Sequence, residues 1–286
     1  MSAKRLSGKV AADNFKSLIK EEVNVRLKKG YSKPHLAAIL VGNNPASSAY
    51  VAGKVRDCNE VGFKSTLIHL DGNISEIELL DHINQLNNND EVHGFIVQLP
   101  LPKGIDEKNI VLSINPLKDV DGFHPENMGR MALGLDTYLP ATPYGIKLLL
   151  EFYNIETSGK NVVVIGRSHI VGLPMSILLG QNSQGGNATV TLTHSKTKDL
   201  ERVVKNGDII IAAIGKASFV NADFIKKGAV VIDVGINKID GKLKGDVDFE
   251  SISDTASAIT PVPGGVGLMT RVGLLMNTLK AANENK

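Results

Sequence analysis

The stretch VVVIGRSHIVGLPM, residues 162–175, decides the fold. A run of β-branched residues ends at Gly166, Gly172 follows six positions later, and a helix is expected from around Pro174. Proline suits the first turn of a helix, where its missing N–H has no intrahelical partner to lose. This is the strand–turn–helix of a nucleotide-binding βαβ unit, in which glycines let the backbone approach a pyrophosphate at the helix N-terminus. The G-x-G-x-x-G fingerprint is not matched, because Ser168 stands where the second glycine would. In isolation, an ordinary strand–turn–helix with incidental glycines reads equally well. The following strands weigh against that: ATVTLTH (188–194), DIIIAAIG (208–215) and AVVIDVGI (229–236) are near-continuous Val/Ile runs, as in sheets covered on both faces.

The same region bears on the cofactor. An NAD site usually offers a carboxylate to the ribose 2′-OH at the end of the next strand. Here that strand runs into THSKTK, and no Asp or Glu occurs from Thr157 to Lys198. Arg167, Ser195, Lys196 and Lys198 stand there instead. Such a surface suits a 2′-phosphate, which a carboxylate would repel. NADP is the expected cofactor, although exposed lysines of this kind also occur simply as solvated side chains.

Upstream, HLAAILV (35–41), KSTLIHL (64–70) and HGFIVQL (93–99) read as strands. Ser75 and Glu78 form a capping box that opens a helix running to about Asn87. The alternation of strand and helix gives an α/β fold with largely parallel sheets. A boundary is expected near TYLPATPYGIKLLLEF (137–152), where two prolines and a glycine precede a helix. MTRVGLLMNTLKAANEN (269–285) reads as an amphipathic helix whose docking partner the pattern leaves open.

With 286 residues, 42% of them hydrophobic and 22% charged, the chain can bury the core of one large or two ordinary domains. The net charge of +2 provides no basic field for nucleic acid. No apolar run approaches a membrane span. Cys58 is the single cysteine, so neither an internal disulfide nor a cysteine-based metal site is expected. The first residues lack the apolar core of a signal peptide, and a cytoplasmic location is expected.

Three further features are candidates for chemistry. Tyr50 and Lys54 lie one turn apart on a helix whose Val51, Val55 and Cys58 form an adjacent apolar stripe. Gln98 follows GFIV at the carboxyl end of a strand, where ligands of open α/β sheets gather. Asp121 sits in PLKDVDGFHP between turn residues. Each also has a plain reading, respectively a solvated pair, a turn cap and an Asx-turn.

Taken in order, SAYVAGK (48–54), VQLPLP (97–102), KDVDGFHPENMG (118–129), GRSHIVGLPM (166–175), GDIIIAAIG (207–215), VVIDVGIN (230–237) and TPVPGGVGLMT (260–270) resemble the methylenetetrahydrofolate dehydrogenase/cyclohydrolase family. The resemblance implies an N-terminal α/β folate-binding and catalytic domain, residues 1–140 plus 268–286, and a Rossmann-type NADP-binding domain, residues 141–267. It also implies a C-terminal helix that returns to the first domain, and a homodimer. The implied activity is oxidation of 5,10-methylenetetrahydrofolate with NADP followed by hydrolysis of the methenyl product, which serves purine biosynthesis. By the same resemblance Lys54, Tyr50, Gln98 and Asp121 are catalytic, and Val97, Leu99, Pro263, Gly264 and Gly265 join them around the folate. Gly166, Arg167, Ser168, Ser195 and Ile236 match the cofactor positions, and no metal is implied. Ala141 replaces a usual cysteine, Leu268 replaces a frequent proline, and GQNSQGGN (180–187) lengthens a loop on the adenosine side. The alternatives are a dehydrogenase of the shikimate or amino-acid type and a non-catalytic nucleotide-binding protein.

Overall fold

A computed structural model describes residues 2–284. In chain order the elements begin with β1 (Lys4–Arg5), α1 (Gly8–Lys28), β2 (His35–Val41), α2 (Pro45–Val61), β3 (Lys64–Leu70), α3 (Glu76–Asn87), β4 (Gly94–Val97), α4 (Glu107–Ser113), α5 (Pro125–Ala132) and α6 (Ala141–Phe152). They continue with β5 (Asn161–Ile165), α7 (Gly172–Gly180), β6 (Thr189–Thr193), α8 (Leu200–Lys205), β7 (Ile209–Ala212) and β8 (Val230–Asp233). A hairpin of β9 (Asn237–Ile239) and β10 (Lys242–Lys244), α9 (Phe249–Ile252), β11 (Ala258–Ile259) and α10 (Val266–Glu284) complete the chain.

Two compact units result. One, built on three strands, comprises Asn14–Arg130, Asp136–Ala141 and the segment from Arg271 onward. Its sheet has the order β3-β2-β4, and every pairing is parallel. All seven residues of β2 are buried, because alternate side chains feed two separate cores. Leu36, Ala38 and Leu40 pack with Val51, Cys58 and Val61 of α2 and with Leu274, Leu275 and Leu279 of α10. Ala37, Ile39 and Val41 pack with Leu79, Ile83 and Leu86 of α3 and with Ile110 of α4. The return of the C-terminal helix to this sheet is therefore as expected. The capping box is also present: Glu78 N–H donates to Ser75 Oγ at 3.2 Å, and Ser75 N–H donates to Glu78 Oε2 at 2.9 Å.

The other unit contains the chain up to Asp13, Met131–Leu135 and Thr142–Thr270. Its six strands run parallel in the order β1-β11-β8-β7-β5-β6. Val163, Ile165, Ile210, Ala212, Val231 and Ile259 form one apolar face under Val204, Phe224 and Ile252. The seven expected strands are found, five of them shorter by one to three residues at one or both ends. β3 and β6 depart from the expected cover on both faces: each lies at a sheet edge with part of its length open to solvent. The helix after β5 begins at Gly172, which puts Pro174 in its first turn. The edge strand β1 was not expected, since two basic residues carry no apolar signal. Among the described residues no helix is long and apolar enough to cross a membrane.

Candidate active site

In the three-stranded unit β2 lies between β3 and β4, so the chain leaves it to one side and comes back on the other. Such a switch point opens a crevice at the carboxyl ends of the strands. The loop after β2 enters α2 through Asn44, whose Oδ1 accepts from Ala46 N–H at 2.9 Å and Ser47 N–H at 3.2 Å. Pro45 occupies the first helical position. Val51 and Cys58 are buried against the sheet, which fixes the helix rotation and turns the Tyr50 and Lys54 stripe to the adjacent face. Lys54 is only 7% exposed, whereas Tyr50 is half-buried.

Gln98 follows β4, and its N–H donates to Ile39 O at 2.9 Å. Its side-chain amide donates to Leu99 O at 2.7 Å, which leaves its oxygen to accept from Lys54 Nζ at 3.1 Å. Val97 is buried and Leu99 half-buried on either side. A neutral partner matters here, because it orients the amine without favouring the ammonium form as a carboxylate would. Burial pushes the Lys54 amine below the ordinary lysine range; Asp121 and Cys58 oppose this, and the nearby Arg271 adds to it. Burial raises Asp121 above the usual carboxylate range, and the Lys54 charge holds it back. Burial likewise raises the Tyr50 phenol, with Arg271 opposing. An amine, an amide, a phenol and a carboxylate thus share one face of this unit.

The loop that presents Asp121 is held by residues the sequence reading did not single out. The buried Asp119 carboxylate accepts from Gly122 N–H at 3.1 Å, His124 N–H at 2.7 Å and Asn127 Nδ2 at 3.0 Å. Asn277 of α10 donates to Val120 O at 2.8 Å and Leu139 O at 2.7 Å. Asp119 had a signal, the Asp-x-Asp of KDVDGFHP. Asn277 had none, as it lies more than 150 residues away.

In the six-stranded unit the predicted cofactor residues gather where strands end. Gly166 closes β5 with φ +110°, and a Cβ there would stand 2.1 Å from Ala213 O. A Cβ on Gly172 would stand 1.9 Å from Gly166 O, so the turn into α7 is closed to any larger residue at both points. Ser168 Oγ accepts from Val171 N–H at 3.2 Å, which rigidifies this turn in place of a further glycine. Arg167, Ser168 and Ser195 are exposed, and Ile236 follows β8 with its side chain in solvent. A tight glycine turn, a helix start without a side-chain cap and exposed cations fit a dinucleotide with an added phosphate.

Two buried carboxylates frame this edge. Asp246 accepts from Ile214 N–H at 2.6 Å, Gly215 N–H at 2.9 Å, Lys216 N–H at 2.9 Å and Asn237 Nδ2 at 2.9 Å. Asp233 accepts from Gly235, Asp246 and Val247 N–H at 3.0, 2.9 and 3.0 Å. Pro263, Gly264 and Gly265 belong to this unit, in the turn before α10, where Gly264 has φ +95°. Among the described residues no group of three His, Cys, Asp or Glu side chains is placed to hold a metal.

Comparison with known proteins matches both halves of the chain. Residues 6–121 fit the catalytic domain of tetrahydrofolate dehydrogenase/cyclohydrolase, and residues 140–286 fit its NAD(P)-binding domain. The chain is 56% identical over 283 residues to the bifunctional protein FolD of Flavobacterium johnsoniae, covering 96% of each. It superposes on the bifunctional FolD methylenetetrahydrofolate dehydrogenase/cyclohydrolase of Campylobacter jejuni with a TM-score of 0.95 and 47% identity, covering 100% of both chains. The Trypanosoma brucei dehydrogenase-cyclohydrolase, complexed with NADP and an inhibitor, matches with a TM-score of 0.92 and 35% identity over 99% of this chain and 98% of that one. A shikimate 5-dehydrogenase from Thermus thermophilus shares only the fold, at 12% identity and a TM-score of 0.53 over 88% of this chain and 100% of that one. The shikimate-type alternative is therefore no more than a distant fold relation.

Proposed function

The chain belongs to the tetrahydrofolate dehydrogenase/cyclohydrolase family, and from that premise we propose how its residues divide the work. It is a bifunctional one-carbon enzyme. It oxidises 5,10-methylenetetrahydrofolate to the methenyl form with NADP and hydrolyses that product to 10-formyltetrahydrofolate. NADP supplies the hydride acceptor. Gly166 and Gly172 bring the backbone to the pyrophosphate, and Arg167, Ser168 and Ser195 face the phosphorylated ribose. Ile236 supports the nicotinamide end.

The first step removes hydride from a carbon flanked by two nitrogens, whose lone pairs stabilise the cation formed. Positioning suffices there, and the protein need not move a proton. Hydrolysis needs more. Water adds to the methenyl carbon while a base takes its proton; one C–N bond then breaks and the leaving nitrogen is protonated. Lys54 is our candidate for that proton traffic. The supporting observation is its buried amine, hydrogen-bonded to the neutral Gln98 oxygen at 3.1 Å. Its depressed pKa makes the neutral amine accessible nearer to physiological pH. Tyr50 packs on the folate beside the reacting carbon, Asp121 receives pterin N–H groups, and Val97 and Leu99 wall the pocket. Pro263, Gly264 and Gly265 are assigned to the folate by the same family pattern.

On the model of the family the enzyme is assigned as a cytoplasmic homodimer whose formyl product serves purine biosynthesis. Residues 1–140 with 268–286 carry the folate chemistry in this reading, and 141–267 the cofactor.

A coupled assay following NADP reduction and methenyl loss on one preparation tests the division. Lys54→Gln is expected to lower hydrolysis by at least about 100-fold, the usual scale of a lost acid–base group, while measurable hydride transfer persists. Hydrolysis at a near-normal rate in that variant would remove Lys54 from the role.

A further inference from the structure

Behind the Lys54 stripe α2 carries a feature that the two reactions above leave without a task. Gly53 is buried in the middle of a 17-residue helix, a position where glycine costs roughly 1 kcal/mol relative to alanine. Its backbone has ordinary helical geometry, so no turn calls for it. The reason is a neighbour: a Cβ built on Gly53 would lie 2.1 Å from Nη1 of Arg271. Arg271 reaches over from α10 with its side chain only 15% exposed, and its Nε stands 2.9 Å from Oδ2 of the buried Asp57. That contact is one of charge, since the Nε–H is not aligned on the oxygen. Lys16 of α1 stands 3.7 Å from the other Asp57 oxygen and 2.7 Å from Glu60. Tyr50, Gly53, Lys54 and Asp57 follow one another at helical spacing. The guanidinium therefore lies across the face of the helix turn that carries the lysine.

We propose that Arg271 is a positioning residue for hydrolysis, its guanidinium filling the gap left by Gly53 and, braced by Asp57, fixing the helix turn that presents Lys54. The proposal rests on the assignment of Lys54 as the proton-transfer group. A guanidinium stays charged throughout the working pH range and is more weakly hydrated than an ammonium, so it suits a permanent buried post. Its electrostatic effect follows from the placement. A fixed positive charge next to Lys54 disfavours a second one, against the opposing pull of Asp121 and Cys58. Gln98 is uncharged and adds no further opposition. Asp57 tempers the effect but faces Arg271 and Lys16 rather than the lysine. Gly53 and Arg271 then form one device: the small residue exists to admit the large one.

The test measures methenyl hydrolysis against pH, corrected for the uncatalysed rate, in the intact enzyme and in variants whose fold is checked by thermal unfolding. Arg271→Met is expected to lower hydrolysis at least about tenfold near neutral pH, to reduce hydride transfer by a smaller factor, and to move the rising limb of the profile up by about half a unit. Arg271→Lys keeps the charge and should return most of that limb to its original position. Gly53→Ala should resemble Arg271→Met, because its Cβ displaces the guanidinium. Added to Arg271→Met, it should cost less than about a further twofold, as contacting sites are not additive. An unshifted profile in Arg271→Met, or equal loss of both activities in all variants, overturns the proposal while Lys54→Gln still reports on the lysine. Retained hydrolysis in Lys54→Gln overturns both readings together.

Discussion

The two units spend burial differently. In the three-stranded unit the group proposed to react is itself buried: Lys54 has little solvent access, and the half-buried Asp121 opposes the effect of that burial on its charge. In the six-stranded unit the side chains proposed to face the cofactor, those of Arg167, Ser168, Ser195 and Ile236, are exposed, and the buried carboxylates are scaffolding. Asp246 and Asp233 between them accept seven of the hydrogen bonds that shape the loops at the strand ends. The contrast follows from the chemistry. A proton-transfer group must have its pKa moved toward the working pH, and desolvation is a strong way to do so. A bound dinucleotide needs backbone N–H groups, surface cations and a rigid loop, none of which requires a titrating side chain.

On that contrast, the largest effect in the six-stranded unit comes from removing scaffold. Asp246→Ala strands three backbone N–H groups and the Asn237 amide. A loss on the order of 4 kcal/mol is expected, since each orphaned buried donor costs about 1–3 kcal/mol and the loop relaxes only partly. Denaturant unfolding would register it, and NADP affinity should fall at least about tenfold as the Ile214–Lys216 loop loosens. A variant of normal stability and normal NADP binding would show that the loop needs no buried carboxylate.

A smaller effect concerns pH. Burial pushes the Asp233 carboxyl up to about 6, against the pull of its three backbone donors. A carboxyl raised on folding binds more protons in the native than in the unfolded state between the two pKa values. Its contribution to stability is therefore present below the ordinary carboxylate range and is lost as pH rises through about 6. The size is at most about 3 kcal/mol, at 1.36 kcal/mol per unit. Asp233→Asn removes the titration, so the stability gap between wild type and variant should narrow from about pH 4 to pH 7. A gap that widened would reverse the sign and give Asp233 the role of a stabilising anion.

Local periodicity carried most of the fold into the sequence. The runs that became β2, β5, β7 and β8 are apolar without alternation because both sheet faces are covered, and the capping box at Ser75 and Glu78 is a four-residue signal. β1 was not legible, since Lys4–Arg5 pairs through backbone alone with Ala258–Ile259. The site divides in the same way. Tyr50 and Lys54 are legible because helical spacing links them, whereas the Lys54–Gln98 hydrogen bond joins residues 44 positions apart. The Gly53–Arg271 fit was invisible for a related reason. A glycine within a helix pattern reads as a local cost, and its cause lay on another helix more than 200 residues later.

The smallest expected effect probes the exposed side of the contrast directly. Arg167 follows Gly166 at the end of β5 with its side chain in solvent. Exposed cations hold phosphates through contacts that water and salt weaken. Arg167→Ala should therefore weaken NADP by only about tenfold, or roughly 1.4 kcal/mol. NAD lacks the 2′-phosphate, so its binding should change by less than about twofold. The same contact predicts that the preference for NADP over NAD declines as salt is raised, whereas Arg271→Met, acting inside the other unit, should leave that preference untouched. Titration of both dinucleotides into wild type and variant at two ionic strengths decides the matter. Equal weakening of both cofactors by Arg167→Ala would mean that the arginine supports the shared pyrophosphate or the turn itself, and selection of the 2′-phosphate would pass to Ser195, Lys196 and Lys198.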